Sequence, residues 1–246
     1  IDKRLDDLGL SQNIYEDLKD VLKFTQGLIL ISGPTGSGKT TTLYSILKEL
    51  NSDDKKIITV EDPIEYKIDS INQVPINNKV GLSFELVLKN ILRQDPDIIF
   101  IGEIRDKFSL DIALQASLTG HLVLASIHAS SSVETITRLI DLKADPFLIS
   151  TTLKAVMAQR LVLAHCKSCE NGCKKCNFTK FYDRTSISEI LKVDEQISSL
   201  IFNKASFNEL KEYLKNINFK TMLDDGKQKV KDGLTTLEEV YKVVNF

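Results

Sequence analysis

The run Gly33-Pro34-Thr35-Gly36-Ser37-Gly38-Lys39-Thr40 has the spacing G-x-x-x-x-G-K-T. Glycines in such a loop let successive backbone N–H groups turn inward and cradle phosphate oxygens, with no Cβ in the way. A following helix N-terminus adds partial positive charge, the lysine reaches the β- and γ-phosphates, and the last hydroxyl ligates Mg²⁺. The apolar run Leu28-Ile29-Leu30-Ile31 precedes the loop and a helical pattern follows it, which is the strand–loop–helix context the motif needs. Gly33, Pro34, Thr35, Gly36, Ser37, Gly38, Lys39, Thr40 and Thr41 are therefore the expected nucleotide-binding set, with Thr40 as the Mg²⁺ ligand. A chance Gly-rich helix cap is the bland alternative.

Hydrolysis needs more than a cradle, because a water must be placed in line with the γ-phosphate and deprotonated. The segment Ile98-Ile99-Phe100-Ile101-Gly102-Glu103-Ile104-Arg105-Asp106 reads as a buried strand ending in an acid. Ligands of open parallel sheets sit beyond the carboxyl ends of the strands, so Glu103 is expected to face the phosphates. Glu61-Asp62-Pro63 and Glu65 end another apolar strand, at residues 57–60. These carboxylates could hold Mg²⁺ or water, or merely cap a turn. His121 and His128 flank a strand at residues 122–125 and should point to opposite faces of it. His128, at the carboxyl end, is the one placed to sense a γ-phosphate.

All four cysteines fall within Cys166-x2-Cys169-x3-Cys173-x2-Cys176. A disulfide framework would staple distant parts of a small secreted chain, whereas four thiols so close together fit tetrahedral Zn²⁺. Free thiols, a redox pair or an iron–sulfur cluster are the other readings. Lys167, Lys174 and Lys175 partly offset the thiolate charge, and Asn171 and Gly172 supply the turn.

Four apolar runs, near residues 28–31, 57–60, 98–101 and 122–125, alternate with helical patterns near 39–50, 84–93 and 107–118. Alternating strands and helices imply right-handed crossovers and a mostly parallel sheet covered on both faces. An amphipathic helix is expected at residues 13–23, burying Ile14, Leu18, Val21 and Leu22. Asn72, Asn77, Asn78 and Gly81 suggest an inserted hairpin. Past Ser130 the strand pattern fades, and helices are expected at about 132–142 and 147–158. The C-terminal third reads as helical, with capping boxes at Ser206/Glu209 and Thr235/Glu238. The expected division is a linker and helix at 1–26, an α/β ATPase core at 27–160, a tetracysteine zinc loop at 161–184, and a helical subdomain at 185–246.

The 246 residues are 42% hydrophobic and 27% charged, with 32 basic against 34 acidic side chains and a net charge of −2. This is ordinary globular composition, which excludes a disordered or fibrous chain. No basic excess marks a phosphate-backbone binder, and no apolar run approaches the roughly 20 residues of a membrane helix. A cytosol-type soluble domain is expected. The first residue is Ile1 rather than Met, as in a piece of a longer chain.

Four segments then resemble one family, the secretion ATPases of type II secretion and type IV pilus assembly. Residues 33–42 resemble its Walker A loop, 59–65 its aspartate box, 92–106 its Walker B segment and 119–128 its histidine box, in order. Weaker likeness continues through Ala158-Gln159-Arg160-Leu161-Val162, residues 222–226 and residues 236–240. The resemblance implies a RecA-like P-loop NTPase core that binds ATP and Mg²⁺. It also implies Glu103 as catalytic glutamate, Glu61 as a Mg²⁺/water-orienting residue, His128 as γ-phosphate sensor, and Arg105 and Arg93 as functional arginines. The assembly implied is a homo-hexameric ring in the cytoplasm, peripheral to the inner membrane and working with a platform protein and other secretion or pilus components. Assembly and secretion motors of the family tend to carry a four-cysteine loop, and retraction motors tend to lack it. Two departures are Lys107-Phe108-Ser109, where relatives often have x-Glu-Thr, and Lys89, where an arginine is common. A P-loop DNA translocase with a zinc module, and a nucleotide-gated module with little turnover, are the competing functions.

Overall fold

The computed structural model describes residues 3–244. The strands are β1 (Gly27–Ser32), β2 (Ile57–Glu61), β3 (Asn72–Pro75), β4 (Ile98–Ile101), β5 (Leu122–Ile127), β6 (Leu153–His165) and β7 (Phe181–Lys192). The helices are α1 (Gln12–Val21), α2 (Lys39–Leu50), α3 (Phe84–Ile91), α4 (Lys107–Leu118), α5 (Ser132–Asp141), α6 (Pro146–Thr152), α7 (Glu195–Phe202), α8 (Phe207–Asn216), α9 (Met222–Lys231) and α10 (Leu237–Val243). The strands form one sheet in the order β3-β2-β4-β5-β1-β6-β7, parallel except for the antiparallel β6–β7 pair.

β1 is buried along its whole length because helices cover both sheet faces. Its alternate residues divide between two cores. Leu28 and Leu30 pack with α3, α4 and α5, whereas Ile29 and Ile31 pack with α1 and α2. The expected helix near the N-terminus forms as α1, and Ile14, Leu18, Val21 and Leu22 are all buried. α2 and α4 span the residues their periodicity implies. α4 opens on a capping box in which Asp106 Oδ1 accepts from the Ser109 N–H at 2.8 Å, giving Ser109 a defined role at the site of the family departure.

Four expectations are corrected. The helix read at 147–158 ends at Thr152, and Leu153 starts a strand beside β1. Burial on both faces left residues 155–158 an apolar stretch with no alternation, and Ala155, Met157 and Ala158 made it look helical. The strand pattern therefore does not fade past Ser130, since β7 also joins the sheet. β7 carries a buried acid because the Glu189 carboxylate accepts from the Ser132 and Met222 N–H groups at the starts of α5 and α9, while the Ser188 backbone N–H donates to Asp225 on α9. The proposed hairpin is instead β3, a parallel edge strand beside β2, followed by a tight turn with a bridge between Asn77 and Leu82. The last helix is capped by Thr236, whose hydroxyl accepts from the Glu239 N–H; Thr235 donates to Leu163 O at 2.7 Å. The Ser206/Glu209 box forms as expected, and Thr221/Asp224 makes another.

A buried ion pair ties the start of the described chain to its C-terminal helices. Lys229 Nζ lies 3.3 Å from Asp225 Oδ2, donates to Gly9 O at 2.8 Å, and also donates to Ser186 O. Asp225 accepts from the Ser11 hydroxyl and from the Ser188 N–H. Removing one member of such a pair leaves an uncompensated buried charge. Lys229→Met is expected to lower the unfolding free energy by about 3–5 kcal/mol in urea denaturation. A loss below about 1 kcal/mol would show that water already reaches the pair.

Candidate phosphate site and cysteine cluster

The loop between β1 and α2 opens into a cavity of about 900 Å³ at the carboxyl ends of the parallel strands. Residues 35–41, Glu61, Asp62, Glu103, Arg105, His128 and Arg184 are among those that line it. The backbone fits a phosphate cradle. Gly36 and Gly38 have φ of +78° and +89°, and a Cβ on Gly36 would meet open space, leaving the mouth of the loop clear. Gly33, at φ +155°, is needed for another reason: a Cβ there would sit 2.3 Å from Ser37 Oγ and 2.7 Å from Gln159 O. Lys39 Nζ folds over the loop and donates to Gly33 O at 2.8 Å and Pro34 O at 3.0 Å. Burial lowers the Lys39 pKa, with nearby Glu103 opposing and Arg160 reinforcing the shift. Thr40 is exposed on the cavity wall at the first turn of α2. A loop carbonyl pair on the lysine, open amides and a free hydroxyl match a nucleotide's phosphates and their Mg²⁺.

The structure brings Glu103, Arg105 and His128 together. Glu103 accepts from Arg105 Nε on one oxygen and pairs with His128 Nε2 on the other. That bond to Glu103 is the main reason the Arg105 pKa rises. His121 lies apart at the opposite end of β5, where its Nδ1 is 3.0 Å from Ala116 O, as a turn histidine. Arg93 is exposed after α3 and is not among the cavity residues.

Glu61 differs from Glu103 in kind. It is 3% exposed, and its carboxylate accepts from Thr59 Oγ1 at 2.6 Å, Gln73 Nε2 at 3.1 Å and the Tyr44 hydroxyl. Burial first, and then the bond to Glu61, raise the Tyr44 pKa. Tyr44, Gln73 and Gln159 were not anticipated as site residues. Gln159 and Arg160 carried a signal all the same, as two polar residues inside a strand-length apolar run.

The four cysteines sit at the tip of the β6–β7 hairpin. Their sulfurs lie within 4.8 Å of one another, with separations of 4.0 Å (Cys166–Cys173), 3.6 Å (Cys169–Cys176) and 3.8 Å (Cys173–Cys176). A tetrahedral ion with Zn–S bonds of about 2.3 Å has S···S edges of about 3.8 Å. The cluster is thus compatible with zinc. Gly172, at φ +101°, makes the turn and packs against the Phe178 backbone.

Residues 1–242 match the family described as type II/IV secretion system protein. The chain belongs to that family. It is 42% identical over 249 residues to the type II secretion system protein HxcR of Pseudomonas aeruginosa, covering 98% of this chain and 53% of that one. It is 40% identical over 264 residues to the type IV pilus assembly ATPase PilB of Thermus thermophilus, covering 96% of this chain and 30% of that one. The chain therefore spans about half or less of these relatives. Its fold matches the crystal structure of the pilus retraction motor PilT with bound ADP at a TM-score of 0.81, with 30% identity and coverage of 99% and 67%. The core is RecA-like, as the resemblance implied.

The two glycines give a contrast that tests the loop geometry. Gly33→Ala is expected to cost about 3 kcal/mol through its clash with backbone and Ser37, and Gly36→Ala only about 1–2 kcal/mol through its left-handed φ. Thermal melting of the two variants side by side should rank them in that order; equal melting would contradict the described loop.

Proposed function

We propose that this chain is the ATP-hydrolysing motor domain of a secretion or pilus-assembly machine. The observation that carries the reading is the convergence of the phosphate loop, Glu103 and His128 on one cavity at the carboxyl ends of the parallel strands. Lys39 and the loop amides bind the phosphates. Thr40 would hold Mg²⁺, which neutralises charge developing on the phosphate oxygens. Glu103 accepts a proton from the attacking water as its oxygen bonds to the γ-phosphorus and the bond to the β-phosphate bridge breaks. Arg105 and His128 already face the Glu103 carboxylate, so an incoming phosphate competes for the same side chains and frees the base as it binds. His128 thereby acts as the γ-phosphate sensor. Three donors hold Glu61, leaving about one acceptor position on its carboxylate to orient water or the metal's outer shell.

The relatives named for type II secretion and type IV pilus assembly support a homo-hexamer working with an inner-membrane platform protein, peripheral to that membrane on its cytoplasmic side. The cysteine loop projects at the hairpin tip and is the proposed docking point for the platform. Replacing Glu103 with Gln keeps the shape but removes the base. Turnover is expected to fall at least about 100-fold with ATP affinity retained. Unchanged turnover in steady-state phosphate release would remove Glu103 from the mechanism, and tight ATP binding without turnover in the unsubstituted protein would favour a nucleotide-gated module.

Structural zinc is the proposed occupant of the cysteine cluster. The Cys173 N–H donates to Cys176 Sγ and holds that thiol at about 6, whereas burial and the neighbouring thiols lift Cys169 to about 12. Metal binding must then expel protons at neutral pH, so affinity falls as pH drops. Purified protein is expected to carry equimolar zinc, and competition with a chromogenic chelator should strip it faster at pH 6 than at pH 8. Metal-free protein of unchanged melting temperature would exclude a structural ion.

A further inference from the structure

Two adjacent residues of β6 bridge the two loops that approach the phosphates. Gln159 is 1% exposed, and its side-chain amide is used at both ends. Nε2 donates to Ser37 O, inside the phosphate loop, at 2.7 Å, and Oε1 accepts from Thr42 Oγ1, on the first turns of α2, at 2.9 Å. The amide thus ties the loop to the helix whose N-terminus completes the cradle. Arg160 is 8% exposed and forks in the other direction. Nη1 donates to the Gln159 carbonyl and Nη2 donates to Ser130 O, each at 3.0 Å. Ser130 lies two residues past His128, on the exit of β5.

The acids facing Arg160 are Glu134, on α5, and Glu189, on β7. Both are committed elsewhere. Glu134 Oε2 accepts from the Ser130 N–H, and Glu189 accepts from the Ser132 and Met222 N–H groups that open α5 and α9. The guanidinium therefore spends its hydrogen bonds on one carbonyl of its own strand, that of Gln159, and one loop carbonyl, that of Ser130, rather than on a carboxylate fork. A buried arginine placed this way sets distances between backbones. Gly33 and Gly38 fit closely against the same residue: a Cβ on Gly33 would meet Gln159 O at 2.7 Å, and one on Gly38 would meet Gln159 Nε2 at 3.0 Å.

We propose that Gln159 and Arg160 are positioning residues that form a crossbar: Gln159 holds the phosphate loop in its nucleotide-ready shape, and Arg160 sets the distance from it to the His128 loop. This rests on the phosphate-site reading given above. Neither residue is among those lining the cavity. Their effects separate by phosphate. The β-phosphate, present in ADP and ATP alike, lies in the cradle that Gln159 shapes. The γ-phosphate, present only in ATP, is what His128 meets, and His128 is what Arg160 places.

The test is equilibrium binding of fluorescent ADP and of a fluorescent non-hydrolysable ATP analogue to the 246-residue chain. Gln159→Met, similar in volume, is expected to weaken both ligands about tenfold and equally, because Ser37 O loses its donor. Thr42→Val, which keeps the side-chain shape and frees the amide to rotate, should shift both in the same direction by a smaller factor, and it guards against a Gln159 variant that fails to fold. Arg160→Lys keeps the buried charge but cannot reach both carbonyls; it should weaken the ATP analogue several-fold and leave ADP unchanged. In a His128→Ala background Arg160→Lys should do nothing further, as expected for residues acting as one unit. Unchanged ADP affinity in both Gln159→Met and Thr42→Val overturns the role of Gln159. Equal loss of both ligands in Arg160→Lys, or additivity with His128→Ala, overturns that of Arg160. Failure of the unsubstituted chain to bind either nucleotide sinks the phosphate-site reading itself, a result distinct from variants that bind like the parent.

Discussion

Parallel pairing of β1 on both sides is the constraint from which the site follows. β1 is matched to β5 through Ser32 and Ile127, and to β6 through Ser32 and Ala158. The next residue on each strand is therefore Gly33, His128 and Gln159. Farther along the sheet the same register matches Val60, Ile101, Ala125 and Leu30, so Glu61 and Gly102 follow one step later and Glu103 one step after that. Lys39 and Thr40 come in from α2, whereas Glu61, Glu103, His128 and Gln159 fall within about two steps of one line across the sheet. A one-residue slip would turn each of these side chains to the other face. The apolar strand interiors, divided between two cores, prevent that slip.

Burial at these strand ends is costly for polar groups, and the structure meets the cost in two ways. Glu61, Glu189 and Asp225 are held by neutral donors from backbone, hydroxyl and amide groups, or by a fixed lysine. None of these partners can leave without repacking the core. Glu103 is held instead by Arg105 and His128, side chains that are 67% and 50% exposed. Partners so exposed are held weakly enough to be exchanged for another anion, because solvent screens the contact. Glu61 and Glu103, which follow apolar runs with the same apparent pattern, are therefore distinguished by what each accepts from, Glu61 from buried neutral donors and Glu103 from exposed side chains.

The strands β1, β2, β4 and β5 were more legible in the sequence than β3 and the last two strands. Loops with obligatory glycines, short apolar runs and caps such as Ser206/Glu209 are local signals, and β1, β2, β4, β5, α2 and α4 were all legible from them. β6 was not, because it is buried on both faces and rich in residues that also favour helix. β7 was not, because Ser186 and Glu189 are polar residues whose partners lie 33 to 178 positions away in the chain. The same reason hid Tyr44, Gln73 and Gln159. Each is chemically unremarkable until folding brings it to a carboxylate or a loop carbonyl. The cysteine spacing, by contrast, announced its cluster, since a compact loop needs no distant partner to bring its sulfurs together.

β6 gives these separate features a common frame. It lies beside β1 at one end, presents Gln159 to the phosphate loop and Arg160 to the loop after β5 in its middle, and reaches His165 just before Cys166. Its antiparallel partner, β7, carries Arg184 to the cavity wall and Ser186 to Lys229. The hairpin is therefore bonded to the phosphate loop, to the segment before α1 and to α9, while its tip holds the cysteines. A strand paired on both sides resists bending within the sheet, so a shift at one of these attachments is transmitted along it more readily than through loops. The fold in this way places nucleotide-facing and cysteine-bearing residues on one stiff element. Of the C-terminal helices, α9 is bonded to β7 through Glu189 and Asp225 and is tied to the same element.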